Sequence, residues 1–152
     1  MTPAAERIVI LMADDDADDR KLARKALAES RLANELHMVE NGEELLDYLC
    51  RRGAYTDPKT SPRPGVILLD LNMPRKDGRA VLAEIKTDPG LRATPIVIFS
   101  TSRAQRDIAG SYALGANSYV CKPGNLRDFT SAVNAICDFW CGCTVLPGER
   151  NS

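Results

Sequence analysis

Val66-Ile67-Leu68-Leu69-Asp70 decides how this chain is read. Four large aliphatic residues in succession, with no polar position among them, mark a strand buried on both faces, as in the middle of a parallel sheet covered by helices. The run ends directly in a carboxylate. An acid that closes the most apolar stretch of a chain points to a site rather than to a solvated surface.

The same punctuation recurs outward in both directions. Arg7 to Ala13 is a short apolar run rich in β-branched residues that stops at Asp14-Asp15, and Leu36 to Val39 is a second short strand. Pro95-Ile96-Val97-Ile98-Phe99 makes a fourth strand, ahead of Ser100, and Ser118-Tyr119-Val120-Cys121 a fifth, ahead of Lys122. Helical periodicity fills the intervals. It places Leu22, Ala23, Ala26 and Leu27 on one face between Asp18 and Ser30, and Leu45, Leu46 and Leu49 in a helix that opens at Asn41-Gly42 and runs toward Arg52. A third helix from Gly78 carries Val81, Leu82 and Ile85 and stops at Asp88-Pro89-Gly90. A weaker one spans Arg103 to Leu114 with Ile108 and Tyr112 inward, and the last starts at Asn125 with the stripe Phe129, Val133, Ile136 and Trp140. Gly53 to Gly65 holds three prolines and reads as an irregular loop without an element of its own. Five strands alternating with five helices imply right-handed crossovers and an α/β fold: a doubly wound, five-stranded parallel sheet. Ligands then sit beyond the carboxyl ends of the strands.

Composition bounds the rest. The 152 residues suit one domain, with a core over about residues 7–140 and a C-terminal extension over 141–152. Hydrophobic residues at 44% and charged residues at 27% match a soluble globular chain, and no apolar run is long enough to span a membrane. Twenty basic against 21 acidic residues give no global reason to bind nucleic acid or anionic lipid. An odd count of five cysteines, and an N-terminus without an apolar leader, lead us to expect a reduced, cytoplasmic protein.

Asp14, Asp15, Asp70, Ser100 and Lys122 therefore converge on one edge of the sheet. Three carboxylates beside one ammonium repel one another unless a hard cation joins them, and oxygen ligands of this kind suit Mg2+, with Mn2+ as a substitute. Asp70, on the central strand, is placed to act as a carboxylate nucleophile toward phosphorus, with the metal and Lys122 neutralising the phosphoryl oxygens and Ser100 donating its hydroxyl.

In this ordered set, with Leu69-Asp70-Leu71-Asn72-Met73-Pro74, Asp77-Gly78 and Tyr119-Val120-Cys121-Lys122-Pro123, the chain resembles the receiver domain of two-component response regulators, a flavodoxin-like fold. The resemblance implies that Asp70 accepts phosphate from a histidine kinase and that Asp14, Asp15 and the backbone carbonyl of Asn72 complete the Mg2+ site. It implies that Lys122 contacts a phosphoryl oxygen, that Ser100 and Tyr119 move together as a switch, and that Asn72 and Ser102 tune self-dephosphorylation. The protein would then be no enzyme in the ordinary sense, assisting only its own phosphorylation and hydrolysis. Within that family, the long loop before the third strand, Asp77 to Lys86 and the tail from Phe139-Trp140 to Leu146-Pro147 are similar to the cyanobacterial phytochrome-associated response regulators. That likeness implies a stand-alone receiver, a phytochrome-type kinase as partner and a homodimer. Asp16, a third consecutive acid, and Cys121 and Gly124 depart from the usual pattern.

Plainer readings compete at several positions. Acids before a helix are often caps, which suffices for Asp16 or Asp18, and Asp18 and Asp19 read as a solvated face. His37, the sole histidine, reads as a packed or edge residue. Cys137, Cys141 and Cys143 lack a fourth ligand for a metal. Trp140, Val145 and Leu146 lie where a five-helix domain is already complete, and apolar residues there suggest the dimer surface. A Lys-Pro pair directly after a strand suggests a cis peptide at Lys122-Pro123. Two other functions fit less well. A metal-dependent aspartyl phosphatase needs a second carboxylate where Asn72 stands, and a flavin carrier would place its phosphate against five acids. A receiver-fold scaffold that needs no phosphorylation is the remaining alternative.

Overall fold

The computed structural model describes residues 7–147, so the N-terminal stretch 1–6 and the end of the expected extension, 148–152, lie outside the described residues. β1 (Ile8–Ala13), β2 (Asn34–Val39), β3 (Val66–Leu69), β4 (Ile96–Ser100) and β5 (Ser118–Cys121) form one parallel sheet in the order β2-β1-β3-β4-β5. They alternate with α1 (Ala17–Ala28), α2 (Gly42–Leu49), α3 (Gly78–Thr87), α4 (Gln105–Ala113) and α5 (Leu126–Cys137). The expected doubly wound α/β architecture is therefore the observed one.

The period of two along the central strands sorts their side chains into two cores. Leu11, Ala13, Ile67, Leu69, Ile96 and Ile98 face α2 and α3, joining Leu45, Leu49, Val81, Leu82 and Ile85. Ile10, Met12, Val66, Leu68, Val97 and Phe99 face α1 and α5, joining Ala23, Leu27, Phe129, Val133 and Ile136. β3 lies between both layers and all four of its residues are buried, which is why its sequence shows no alternation. Asp16, Asn41, Asp77 and Asn125 accept backbone N–H groups at the starts of α1, α2, α3 and α5. α4 has no such side-chain cap at Ala104, and Ser111 is its one buried residue.

Several local expectations need correcting. The loop before β3 contains a single 3-10 turn, Gly53–Tyr55, and is pinned to the body by the Tyr48 hydroxyl donating to the Pro62 carbonyl at 2.7 Å. Tyr112 is not inward: it is 48% exposed, because α4 buries too little of itself to hide a large residue, Ser111 being the one it buries. α5 stops at Cys137 and a π-helical turn, Asp138–Cys143, follows it; Trp140 is half-buried there, still packed against the core that holds Phe129, Val133 and Ile136, and edge-to-face against Phe139 with ring centroids 5.2 Å apart. Val145 is 98% exposed, whereas Leu146 lies beside Gly65. No peptide bond among the described residues is cis, so Lys122-Pro123 takes the intrinsically favoured trans form. His37 is on edge strand β2, its Nε2 2.7 Å from Glu35 Oε2.

Candidate functional site

The parallel register brings the ends of β1, β3, β4 and β5 to the same edge. The ladder continues past β1 and β3 through the bond from Asp70 N–H to the Ala13 carbonyl, and past β4 and β5 through the bond from Lys122 N–H to the Ser100 carbonyl. Asp14, Asp70, Ser100 and Lys122 thus leave rigid strands rather than mobile loops. Gly78 closes the floor: a Cβ there would lie 2.3 Å from the Asp70 carbonyl oxygen and 2.7 Å from Leu71 Cα, so no larger residue fits without displacing the strand end.

Lys122 reaches inward across this edge. Its Nζ is 2.6 Å from Asp14 Oδ2, 2.8 Å from Asp19 Oδ2 and 3.2 Å from Asp70 Oδ2. Asp14, Asp70 and Lys122 are only 1%, 8% and 6% exposed, so the charges interact with little solvent screening. Burial pushes the Asp14 carboxyl up to about 6, against the opposing pull of its bond to Lys122. Burial by itself would lower Lys122, but its bonds to Asp14 and Asp19 and the charges of Asp14 and Asp70 outweigh it and raise the ammonium above its ordinary range. The other Asp14 oxygen accepts the Asp16 N–H at 2.9 Å, and Arg20 Nη1 donates to the Asp14 carbonyl at 2.8 Å. Asp14 is therefore held at both oxygens and at its backbone.

One carboxylate oxygen from each of Asp14, Asp15 and Asp70 lies within 4.8 Å of the others. Asp15 points to solvent while the other two are buried, so a cation would meet an open side and a closed side. Even with Lys122 present the cluster is net negative. An all-oxygen, anionic donor set of this size fits a hard divalent cation. Asn72 is exposed, and its N–H donates to Asp70 Oδ1 at 3.3 Å. The cysteines form no comparable group among the described residues, and all five are free.

Ser100 is fully buried at the end of β4, and its Oγ accepts the Ser102 N–H at 3.3 Å. The Tyr119 ring is half-buried, with its hydroxyl donating to the Ser102 carbonyl at 2.8 Å; that burial is the main reason its phenol is raised. Ser102 in turn donates its hydroxyl to Asp107 Oδ2 at 2.6 Å. The candidates from the sequence thus form two groups, Asp14, Asp15, Asp70 and Lys122 in the pocket, and Ser100, Ser102 and Tyr119 beside it.

Sequence reasoning missed three residues. Asp19 is no part of a solvated face: it is half-buried and pairs with Lys122, while its neighbour Asp18 is exposed. The two differ only in helical phase, which depends on where α1 begins, and a run of acids hides that phase. Arg79 and Asp107 form an ion pair at 2.9 Å between the first turns of α3 and α4; Arg79 lies within the Asp77 to Lys86 phrase, but no sequence signal pairs it with Asp107.

Comparison with known proteins identifies the family. Residues 10–134 match the response regulator receiver domain. The response regulator Rcp1 of Synechocystis sp. (strain ATCC 27184 / PCC 6803 / Kazusa) is 41% identical over 139 residues, 91% of this chain and 92% of Rcp1. The crystal structure of the phosphorylated cyanobacterial phytochrome response regulator RcpA superposes with a TM-score of 0.88 at 42% identity, covering 93% of this chain and 99% of RcpA. The Mn2+-bound form of Rcp1 superposes with a TM-score of 0.86 at 40% identity over the same shares.

Proposed function

This chain belongs to the response regulator receiver domain family and is related to phytochrome response regulators, and we propose that it accepts a phosphoryl group on Asp70 from a histidine kinase of the phytochrome type. The observation that carries this reading is the buried Lys122 ammonium within 3.2 Å of Asp70 and 2.6 Å of Asp14, with Asp15 beside them.

An Asp70 carboxylate oxygen attacks the phosphorus of the donor phosphohistidine. The new P–O bond forms as the P–N bond breaks, and the departing imidazole takes up a proton. Asp14, Asp15, Asp70 and the Asn72 carbonyl would hold the metal, Mg2+ in our reading with Mn2+ as a substitute, which when bound neutralises charge on the transferring phosphoryl group. Lys122 trades a carboxylate partner for a phosphoryl oxygen. Its rigid placement means the new bond needs little reorganisation. Ser100 turns its hydroxyl toward another oxygen, and Tyr119 follows. In hydrolysis, water attacks phosphorus and the P–O bond to Asp70 breaks, returning the carboxylate and inorganic phosphate, with Asn72 and Ser102 tuning the approach of water. The chain does not turn over an external substrate in this reading.

Output then occurs by protein contact, from a homodimer in the cytoplasm, without nucleic acid. Half-buried Trp140 and exposed Phe139 and Val145 support the dimer, and the near balance of charge argues against DNA. Among the described residues no helix is long and apolar enough to cross a membrane.

Incubation with acetyl phosphate and Mg2+, with and without EDTA, read by intact mass, tests the acceptor. We expect one phosphoryl group, lost with EDTA and in Asp70→Asn. Metal-independent labelling, or labelling of the variant, would place the acceptor elsewhere, and no labelling from acetyl phosphate or from a phosphorylated kinase leaves the phosphorylation-independent scaffold.

A further inference from the structure

Ser102 is restrained at every polar group it has. Its N–H meets Ser100 Oγ at 3.3 Å, and its carbonyl accepts from the Tyr119 hydroxyl at 2.8 Å and, weakly, from the Cys121 thiol at 3.8 Å. Its hydroxyl donates to Asp107 at 2.6 Å while accepting the Ala104 N–H at 3.3 Å. The bond that touches Ser100 is among the longest in this set. The two short ones run to Tyr119 and, shortest of all, to Asp107.

Asp107 is itself anchored. Its second oxygen takes Arg79 Nη2 at 2.9 Å, and Arg79 Nη1 lies 3.1 and 3.2 Å from the two oxygens of Asp77, the cap of α3. The hydrogen bonds from Ser102 and Arg79 hold the Asp107 carboxyl below its ordinary range. α4 has no side-chain cap and one buried residue, so polar contacts such as this pair, rather than packing, fix its first turn. A fork-shaped guanidinium bridging two carboxylates is a stiff connector of two helix starts.

We propose that Arg79 and Asp107 are positioning residues that latch Ser102, and with it the turn after β4, in the unphosphorylated arrangement, and so set how readily Ser100 reaches a phosphoryl group on Asp70. This rests on the acceptor reading above. For the Ser100 hydroxyl to turn toward that group, the Ser102 N–H must be released and the Tyr119 bond must break or follow. Where the turn follows either movement, Ser102 is displaced, and the Asp107 bond opposes that displacement. Neither Arg79 nor Asp107 touches the reacting atoms.

The test is the initial rate of phosphoryl uptake from acetyl phosphate with saturating Mg2+, measured for the full chain and for Asp107→Ala, Arg79→Gln, Ser102→Ala and Asp107→Glu. Mg2+ affinity is measured without donor on the same proteins. A latch predicts a several-fold faster rate in the first three variants at unchanged Mg2+ affinity, near-normal behaviour in Asp107→Glu, and no further gain when Asp107→Ala is added to Ser102→Ala. A purely structural pair predicts slower uptake together with weaker Mg2+ binding, and that result overturns the latch. Uptake by the wild type with unchanged rates in the variants also overturns it. If the wild type takes up no phosphoryl group, the acceptor reading fails and the latch falls with it.

Discussion

The turns after β1 and β4 border the same pocket and are built on opposite principles. After β1, Asp14 is buried, bonded at both side-chain oxygens, and tied to Lys122 and Arg20. Its charge is costly there, and burial raises its pKa to about 6. After β4, Asp107 is nearer the surface and its neighbours favour its charge, lowering its pKa. The first turn fixes charge where a cation and a phosphoryl group would bind. The second is held by exchangeable polar bonds to a helix that packs lightly. Rigidity at one side of the pocket and a releasable restraint at the other are what a site needs if binding there is to move something.

The largest expected effect falls on the rigid side and is all or none: Asp70→Asn abolishes phosphoryl uptake, read by intact mass. Lys122→Met comes next. Removing one member of a buried charge cluster leaves Asp14 and Asp70 uncompensated, so urea unfolding in EDTA should show a loss of about 3–5 kcal/mol. Mg2+ should restore part of it by supplying the missing positive charge. A loss below about 1 kcal/mol would mean that solvent, not Lys122, compensates the acids.

Metal binding separates Asp15 from Asp14. Mg2+ at a hundredfold excess over its dissociation constant stabilises the folded state by about 2.7 kcal/mol. Asp15 is exposed and carries none of the buried pairing, so Asp15→Asn should leave the EDTA melting temperature unchanged while removing most of the Mg2+ shift. A Mg2+ shift undiminished in that variant would take Asp15 out of the ligand set.

The opposite pKa directions give a smaller, signed contrast. The folded pKa of Asp14, about 6, exceeds its ordinary 3.8, so the folded state binds this proton more tightly than the unfolded state. In EDTA, lowering pH from 7 toward 4 should therefore stabilise the protein through Asp14, by on the order of 2 kcal/mol, and Asp14→Asn should flatten this part of the profile. Asp107 has the other sign: its contribution is present above the ordinary carboxyl value and is lost only as pH falls below it. Equal slopes in wild type and Asp14→Asn would refute the assignment. Smallest of all, Tyr119→Phe removes one hydroxyl bond to the Ser102 carbonyl and should cost about 1 kcal/mol or less in urea unfolding.

The strands, their order of appearance and the residues at their ends were legible because each signal is local. Val66 to Leu69 needs only its own side chains to declare a two-sided burial, and Asp70 only its place after them. What stayed hidden depended on phase or on distance. Asp18 and Asp19 are indistinguishable until the start of α1 is known. Tyr112 has the spacing of an inward residue, yet α4 lies too lightly on the sheet to cover it. Trp140 continues the stripe of α5 in sequence and stays against the same core, but the backbone there has passed into a π-helical turn, and no composition cue marks such a turn.

By itself, then, the sequence determined the α/β alternation, the parallel sheet and the collection of Asp14, Asp15, Asp70, Ser100 and Lys122 at one edge, because hydrophobic periodicity and strand-end position act over a few residues. Tertiary structure alone decided that Lys122 bridges Asp14, Asp19 and Asp70, and that Arg79 couples α3 to α4 through Asp107 and Ser102. Apart from the short link between Ser102 and Asp107, those contacts join residues from 28 to 108 positions apart. Their distances follow from sheet register and helix packing, which no stretch of the chain encodes on its own.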